Sequence, residues 1–84
     1  MTDHVAAKHT LMGVGGVEEF EKILSNVMIG DTEKDLLRLF YVNEKTFGYI
    51  ADKLHLGSDK QASRMHRKAM KRVHPVLKKM GYIK

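Results

Sequence analysis

The sequence contains no cysteine and no tryptophan, and only one proline among its 84 residues. Without cysteine there is no disulfide framework and no thiolate metal site, which fits a reducing compartment. No apolar run approaches the roughly 20 residues that span a bilayer, so no membrane partner is expected. The first residues lack the charged-then-apolar pattern of a secretory leader. Strand signals are missing too: there is no sustained alternation and no hairpin dipeptide. Catalytic signatures are equally scarce. Five histidines (His4, His9, His55, His66, His74) form no His-Glu-x-x-His arrangement, and no carboxylate cluster completes a metal site. Glu18, Glu19 and Glu21 suit the solvated start of a helix better than a general acid–base pair. The sequence therefore predicts a non-enzymatic protein without metal or cofactor.

What is present is charge, unevenly placed. The formal net charge is +5, but residues 1–44 hold four Lys or Arg against eight Asp or Glu, or −4. Residues 45–84 hold eleven against two, Asp52 and Asp59, or +9. A division of this kind points to a half that binds a polyanion. The plain alternative is a solvated basic face. The overall balance, 43% hydrophobic and 30% charged, is that of an ordinary globular domain, and a chain of this length has a small core.

Taken in order, residues 1–16 include Gly13-Val14-Gly15-Gly16, a run ill suited to a helix. They predict a flexible N-terminal arm with at most a loose helical turn. Residues 17–84 predict a single helical domain. Val17 to Met28 shows a stripe of Val17, Phe20, Leu24 and Val27, widened by Ile23 and Met28, with acids in its first turns. Gly30 ends that helix, and Asp31 or Thr32 caps the next. There Leu36, Leu37, Leu39, Phe40 and Val42 give a broad apolar surface, expected to be the most buried element. Pro75 predicts a break near Arg72 to His74, followed by a short helix from Pro75 to Met80 that Gly81 stops. The apolar side of that tail, with Val76, Leu77, Met80, Tyr82 and Ile83, either folds back on the first helix or forms a homodimer contact. The fold class expected is all-α, with four or five helices.

The chain is organised around Lys45 to Val73. Phe47, Ile50, Ala51 and Leu54 fall at the spacing of one helix face, and Thr46 can cap that helix. After His55-Leu56-Gly57, Ser58 or Asp59 is a good N-cap for a second helix. That helix turns Ala62, Met65, Ala69 and Val73 inward, and small residues at Ala51 and Ala62 let the two helices cross closely. This is the pattern of a helix-turn-helix whose second helix enters the major groove.

Residues early in such a helix reach base edges, which nominates Lys60, Gln61 and Arg64. Arg64 suits guanine, and Gln61 suits adenine. Asp59 could accept from cytosine but is better placed as a cap. The phosphate candidates are Lys45, Thr46, Ser58, Ser63, Arg67, Lys68 and Lys71.

The run from Glu33 to Val73 resembles the C-terminal promoter-reading domain of primary bacterial sigma factors, often called region four. It is also similar to the small phage and prophage regulators built on that plan. A Leu-rich helix precedes a short polar link, and Lys45-Thr46-Phe47 opens the scaffold helix. Ile50-Ala51 and Leu54 follow, and Arg67-Lys68-Ala69-Met70-Lys71-Arg72-Val73 closes the pattern. The resemblance covers about half the chain and leaves out residues 1–30. It departs at His55, where glycine is usual, and by one extra residue near Gly57. What it implies is a cytoplasmic, nucleoid-associated transcriptional regulator that binds double-stranded DNA, with RNA polymerase as a further partner. Two alternatives stay open: a protein-interaction module that contacts polymerase or a sigma factor, and a phage DNA-packaging or replication accessory protein.

Overall fold

The computed structural model describes residues 3–83. Five α-helices follow one another along the chain: α1 (Asp3–Met12), α2 (Val17–Ser25), α3 (Asp31–Leu37), α4 (Phe47–Lys53) and α5 (Asp59–Lys79). A π-helical turn, Arg38–Val42, extends α3. No strand occurs among the described residues, so the protein is all-α as its sequence predicts. None of the helices is long and apolar enough to cross a membrane.

The described residues gather into two compact units. One takes residues through Met28 and from Ala69 onward, and the other takes Ile29–Lys68. The 21-residue α5 contributes to both.

In the first unit, the expected flexible arm is instead helix α1. Ala7 and Leu11, four residues apart, are both buried, and burial of that face supports a helix that local propensity alone would not. The glycine run begins only after it, with Gly13 N–H donating to the Thr10 carbonyl in a closing turn.

Helix α2 buries Phe20, Ile23 and Leu24, and Val27 just beyond it is buried as well. Val17 and Met28, assigned to the stripe from sequence, stay exposed. The helix stops three residues earlier than expected. Ser25 Oγ and Asn26 Nδ2 both donate to the Lys22 carbonyl, at 2.7 and 2.8 Å. Such side-chain donors compete with the helical amides and favour an end.

Residues 69–79 of α5 add Ala69, Met70, Val73 and Leu77 to the buried set. Pro75 does not break the helix, contrary to the sequence expectation. Its missing N–H removes a single hydrogen bond. Its ring is exposed, while Val73 and Leu77 on either side are fully buried. Beyond Lys79, Tyr82 N–H donates to the Leu77 carbonyl and Gly81 N–H to Lys78, with Gly81 at φ 89°. This paired arrangement with a left-handed glycine is a Schellman end. The tail then turns back on α2, where the Tyr82 hydroxyl donates to the Glu19 carboxylate. That bond raises the Tyr82 pKa above its ordinary value, with desolvation and the carboxylate charge adding to the effect.

In the second unit, α3 starts after Gly30, and neither Asp31 nor Thr32 supplies the expected side-chain cap. Leu36 and Leu37 are fully buried, but Leu39, Phe40, Tyr41 and Val42 are only half-buried. The broad apolar helix foreseen here gives way to the wider π turn. In it, Asn43 N–H donates to the Arg38 carbonyl, five residues back. Arg38 also bridges back to Asp35 at 3.0 Å, an exposed pair that contributes little.

Helix α4 ends as α5 does, with Leu56 N–H donating to Ala51 and His55 N–H to Asp52. The left-handed position here is a histidine, His55, at φ 57°. A side chain in that conformation costs about 1 kcal/mol relative to glycine. His55→Gly is therefore expected to raise the unfolding free energy by about 1 kcal/mol, and His55→Val to lower it by at least as much. Urea denaturation of the three proteins at constant m-value measures both changes.

Candidate nucleic-acid interface

Lys45 to Lys68 form one continuous piece of the second unit. Thr46 caps α4, its Oγ1 accepting from Tyr49 N–H at 3.2 Å. Beside it Lys45 Nζ lies 5.0 Å from the centre of the Tyr49 ring, a cation–π contact. The turn from Leu54 to Ser58 uses two left-handed residues, His55 and Gly57 at φ 95°. The chain thus adopts a left-handed position at His55 without a glycine, and a second one at Gly57. Ser58, not Asp59, caps α5: its Oγ accepts from Gln61 N–H at 3.3 Å. Asp59 occupies the first turn, where the helix dipole favours a carboxylate. Ala51 and Ala62 are both buried, which fits the close crossing their size permits.

The three base-reading candidates, Lys60, Gln61 and Arg64, are exposed along the first turns of α5. Of the phosphate candidates, Lys45, Thr46, Ser58, Arg67 and Lys68 are exposed, and Ser63 is half-buried. Lys71 is exposed too and lies further along α5, in the stretch that belongs to the first unit. The capping bonds of Thr46 and Ser58 occupy their oxygens as acceptors, so each hydroxyl keeps a proton to donate. The side of α4 near the turn is an open concavity lined by Tyr49, Asp52, His55, Ser58 and Asp59. Its two carboxylates leave the attraction for anions to the flanking Lys45 and Lys60. Among the described residues there is no group of three or more His, Asp or Glu able to hold a metal ion.

A residue that the apolar spacing passes over holds this end of α5 in place. Met65, expected inside, is half-buried, and the buried position belongs to its neighbour His66, at 5% exposure. The hydroxyl of Tyr41, in the π turn, lies 2.6 Å from His66 Nε2. Burial pushes the Tyr41 phenol well above its ordinary pKa, so the phenol keeps its proton, and hydroxyl and ring nitrogen share one hydrogen bond whose donor is set by the imidazole tautomer.

Rings close around this bond. Phe40 stacks on Phe47 at 4.7 Å and 12°, and His66 lies 5.1 Å from Phe40 and 5.4 Å from Phe47. The cluster joins the π turn, the start of α4 and the second turn of α5. Its signal was present in the sequence, because His66 stands four residues from both Ala62 and Met70 on the inward line. A polar ring there simply fails an apolar count.

Comparison with family models, curated proteins and solved structures finds no match to this chain.

Tyr41→Phe removes the hydrogen-bond partner of a buried ring nitrogen. It is expected to cost about 1–3 kcal/mol of stability at neutral pH, as measured by urea denaturation. The folded pKa of Tyr41 is raised above the ordinary 10.0, so its stabilising effect is complete below that pH and is lost as pH rises above it. The difference between wild type and Tyr41→Phe should accordingly narrow in alkaline solution.

Proposed function

We propose that this protein binds double-stranded DNA in a sequence-specific manner through α4, the turn and the start of α5, in the manner of a sigma region-four-like transcriptional regulator. The observation that carries the reading is the solvent face of α5. Lys60, Arg64, Arg67 and Lys68 are all exposed, and no Asp or Glu follows Asp59 in the chain. A helix that offers Arg and Gln at its exposed start, and further cations along it, suits base edges first and phosphates next. The turn fixed by the Ser58 cap and the aromatic cluster around His66 give that helix a rigid base. Rigid support is what directional hydrogen bonding to bases requires.

The bases fall to Lys60, Gln61 and Arg64, and the phosphates to Lys45, Thr46, Ser58, Ser63, Arg67, Lys68 and Lys71. A regulator of this kind acts in the cytoplasm on the nucleoid, and a module this small gains specificity by pairing with a second copy or with RNA polymerase.

A protein-interaction role is the second reading, and it has an observation of its own. Met12, Val17 and Met28 are large apolar side chains left 68, 56 and 88% exposed. Contact with polymerase or a sigma factor through such residues would suit an acidic first half.

The two readings part on one experiment. Lys60→Ala/Arg64→Ala, with unchanged circular dichroism, is expected to abolish preference for a duplex selected from a random library. Loss of Arg64 alone should cost about 1–3 kcal/mol on that duplex. If about five phosphates are neutralised, log affinity should fall against log salt with a slope near −4.5. Unaltered binding by the double variant would overturn the base-reading assignment. Selected sites that fall at promoters support regulation, whereas a single viral site would indicate a packaging or replication accessory.

A further inference from the structure

The stretch of α5 in the first unit carries a basic face of its own, which the assignment above leaves largely unused. Arg72, Lys78 and Lys79 are exposed there beside Lys71. At 100° per residue the four occupy an arc of about 120°, with Lys71 above Lys78 and Arg72 above Lys79, each pair roughly 10 Å apart along the axis. Ala69, Met70, Val73 and Leu77 take the opposite side and are buried. Among the described residues, Arg72, Lys78 and Lys79 have no ion-pair partner. The carboxylate of Glu19 in the same unit is engaged by the Tyr82 hydroxyl.

Cations in the last turn of a helix are favoured by its dipole, and that effect accounts for Lys78 and Lys79 in part. It does not reach Arg72, two turns earlier. Three kinds of surface attract such a face, and the chemistry separates them. Stable attachment to a membrane surface takes an inserted apolar side as well as cations, and here the apolar side is already buried. The core of a protein interface is depleted in lysine and built on large apolar anchors, whereas the apolar groups at the surface between these cations are the small ring of Pro75 and a half-buried Val76. A regular array of phosphates needs neither an apolar face nor a pocket, only point charges at spacings of several ångströms.

We infer that Arg72, Lys78 and Lys79 form a second, sequence-independent phosphate-binding face for duplex DNA. The inference rests on the duplex-binding reading above and deepens it. The beginning of α5 supplies selectivity, while this later stretch supplies affinity that is blind to sequence and sensitive to salt.

The test uses the full chain and a fluorescently labelled 30-base-pair duplex, in selected and scrambled sequence, with anisotropy followed across a salt series. The Arg72→Gln/Lys78→Gln/Lys79→Gln variant should weaken both duplexes alike and reduce the salt slope by about 2.7. Its preference for the selected duplex should be unchanged. Arg72→Lys/Lys78→Arg/Lys79→Arg should keep the wild-type slope. If the triple variant loses helical circular dichroism, Arg72→Gln alone should still reduce the slope by about 0.9.

An unchanged slope in the neutralised variants, with selectivity still lost in Lys60→Ala/Arg64→Ala, overturns this inference and leaves the base-reading assignment standing. A reduced slope, with Lys60→Ala/Arg64→Ala unaffected, supports the second face and overturns the base-reading assignment. A wild-type protein that binds neither duplex in dilute buffer overturns both.

Discussion

Everything that α5 can do at its exposed start depends on one part-buried bond, between the Tyr41 hydroxyl and His66 Nε2. On the inward line of α5 the residue one turn before His66, Ala62, brings the helix close to its neighbours but supplies little apolar area. A close approach secured by an alanine alone would permit sliding and rotation, because hydrophobic contact is not directional. A hydrogen bond between two aromatic rings, walled by Phe40 and Phe47, fixes both the rotation of α5 and its height. Buried polar networks are worth having when every member is satisfied, because only one arrangement then satisfies them. No buried side-chain nitrogen or oxygen among the described residues lacks a partner.

The opposite side of the same helix works against stability. Lys60 and Arg64, Arg64 and Lys68, Arg67 and Lys71, and Lys68 and Arg72 are like-charged neighbours four residues apart. Each such pair costs a few tenths of a kcal/mol, so the set costs about 1–2 kcal/mol in the free protein. For a domain of this size that is a substantial fraction of its total stability. An anionic surface laid along the helix would remove the repulsion.

Much of this was readable from the residues. The paired helices around His55–Ser58, the Thr46 and Ser58 caps, the buried Ala51, Ala62, Ala69 and Val73 and the outward cations all follow from spacing and capping chemistry. Two of the misses share a physical cause: local signals at the arm and at Pro75 were outweighed by burial elsewhere in the chain. Ala7 and Leu11 make a helix of the expected arm, since a glycine run marks where a helix cannot be and says nothing of the residues before it. Pro75 is tolerated because buried Val73 and Leu77 hold the helix on both sides of it. His66 escaped because polar rings are not counted in an apolar stripe, although its position on the stripe is regular. The π turn had no signal at all; the run Leu36 to Val42 reads equally well as an ordinary helix.

That wide turn has a consequence for how the chain can vary. In a regular helix, adjacent side chains diverge by about 100°, which would send Phe40 and Tyr41 toward different neighbours. The π turn spends one residue more before its ring closes, from Arg38 to Asn43, and both consecutive rings approach the same imidazole. It acts as a phase adjuster inserted into an otherwise ordinary rod. Length at this point is therefore more constrained than composition: other aromatic residues could fill the positions, whereas a chain one residue shorter would turn one of the two rings away from its histidine.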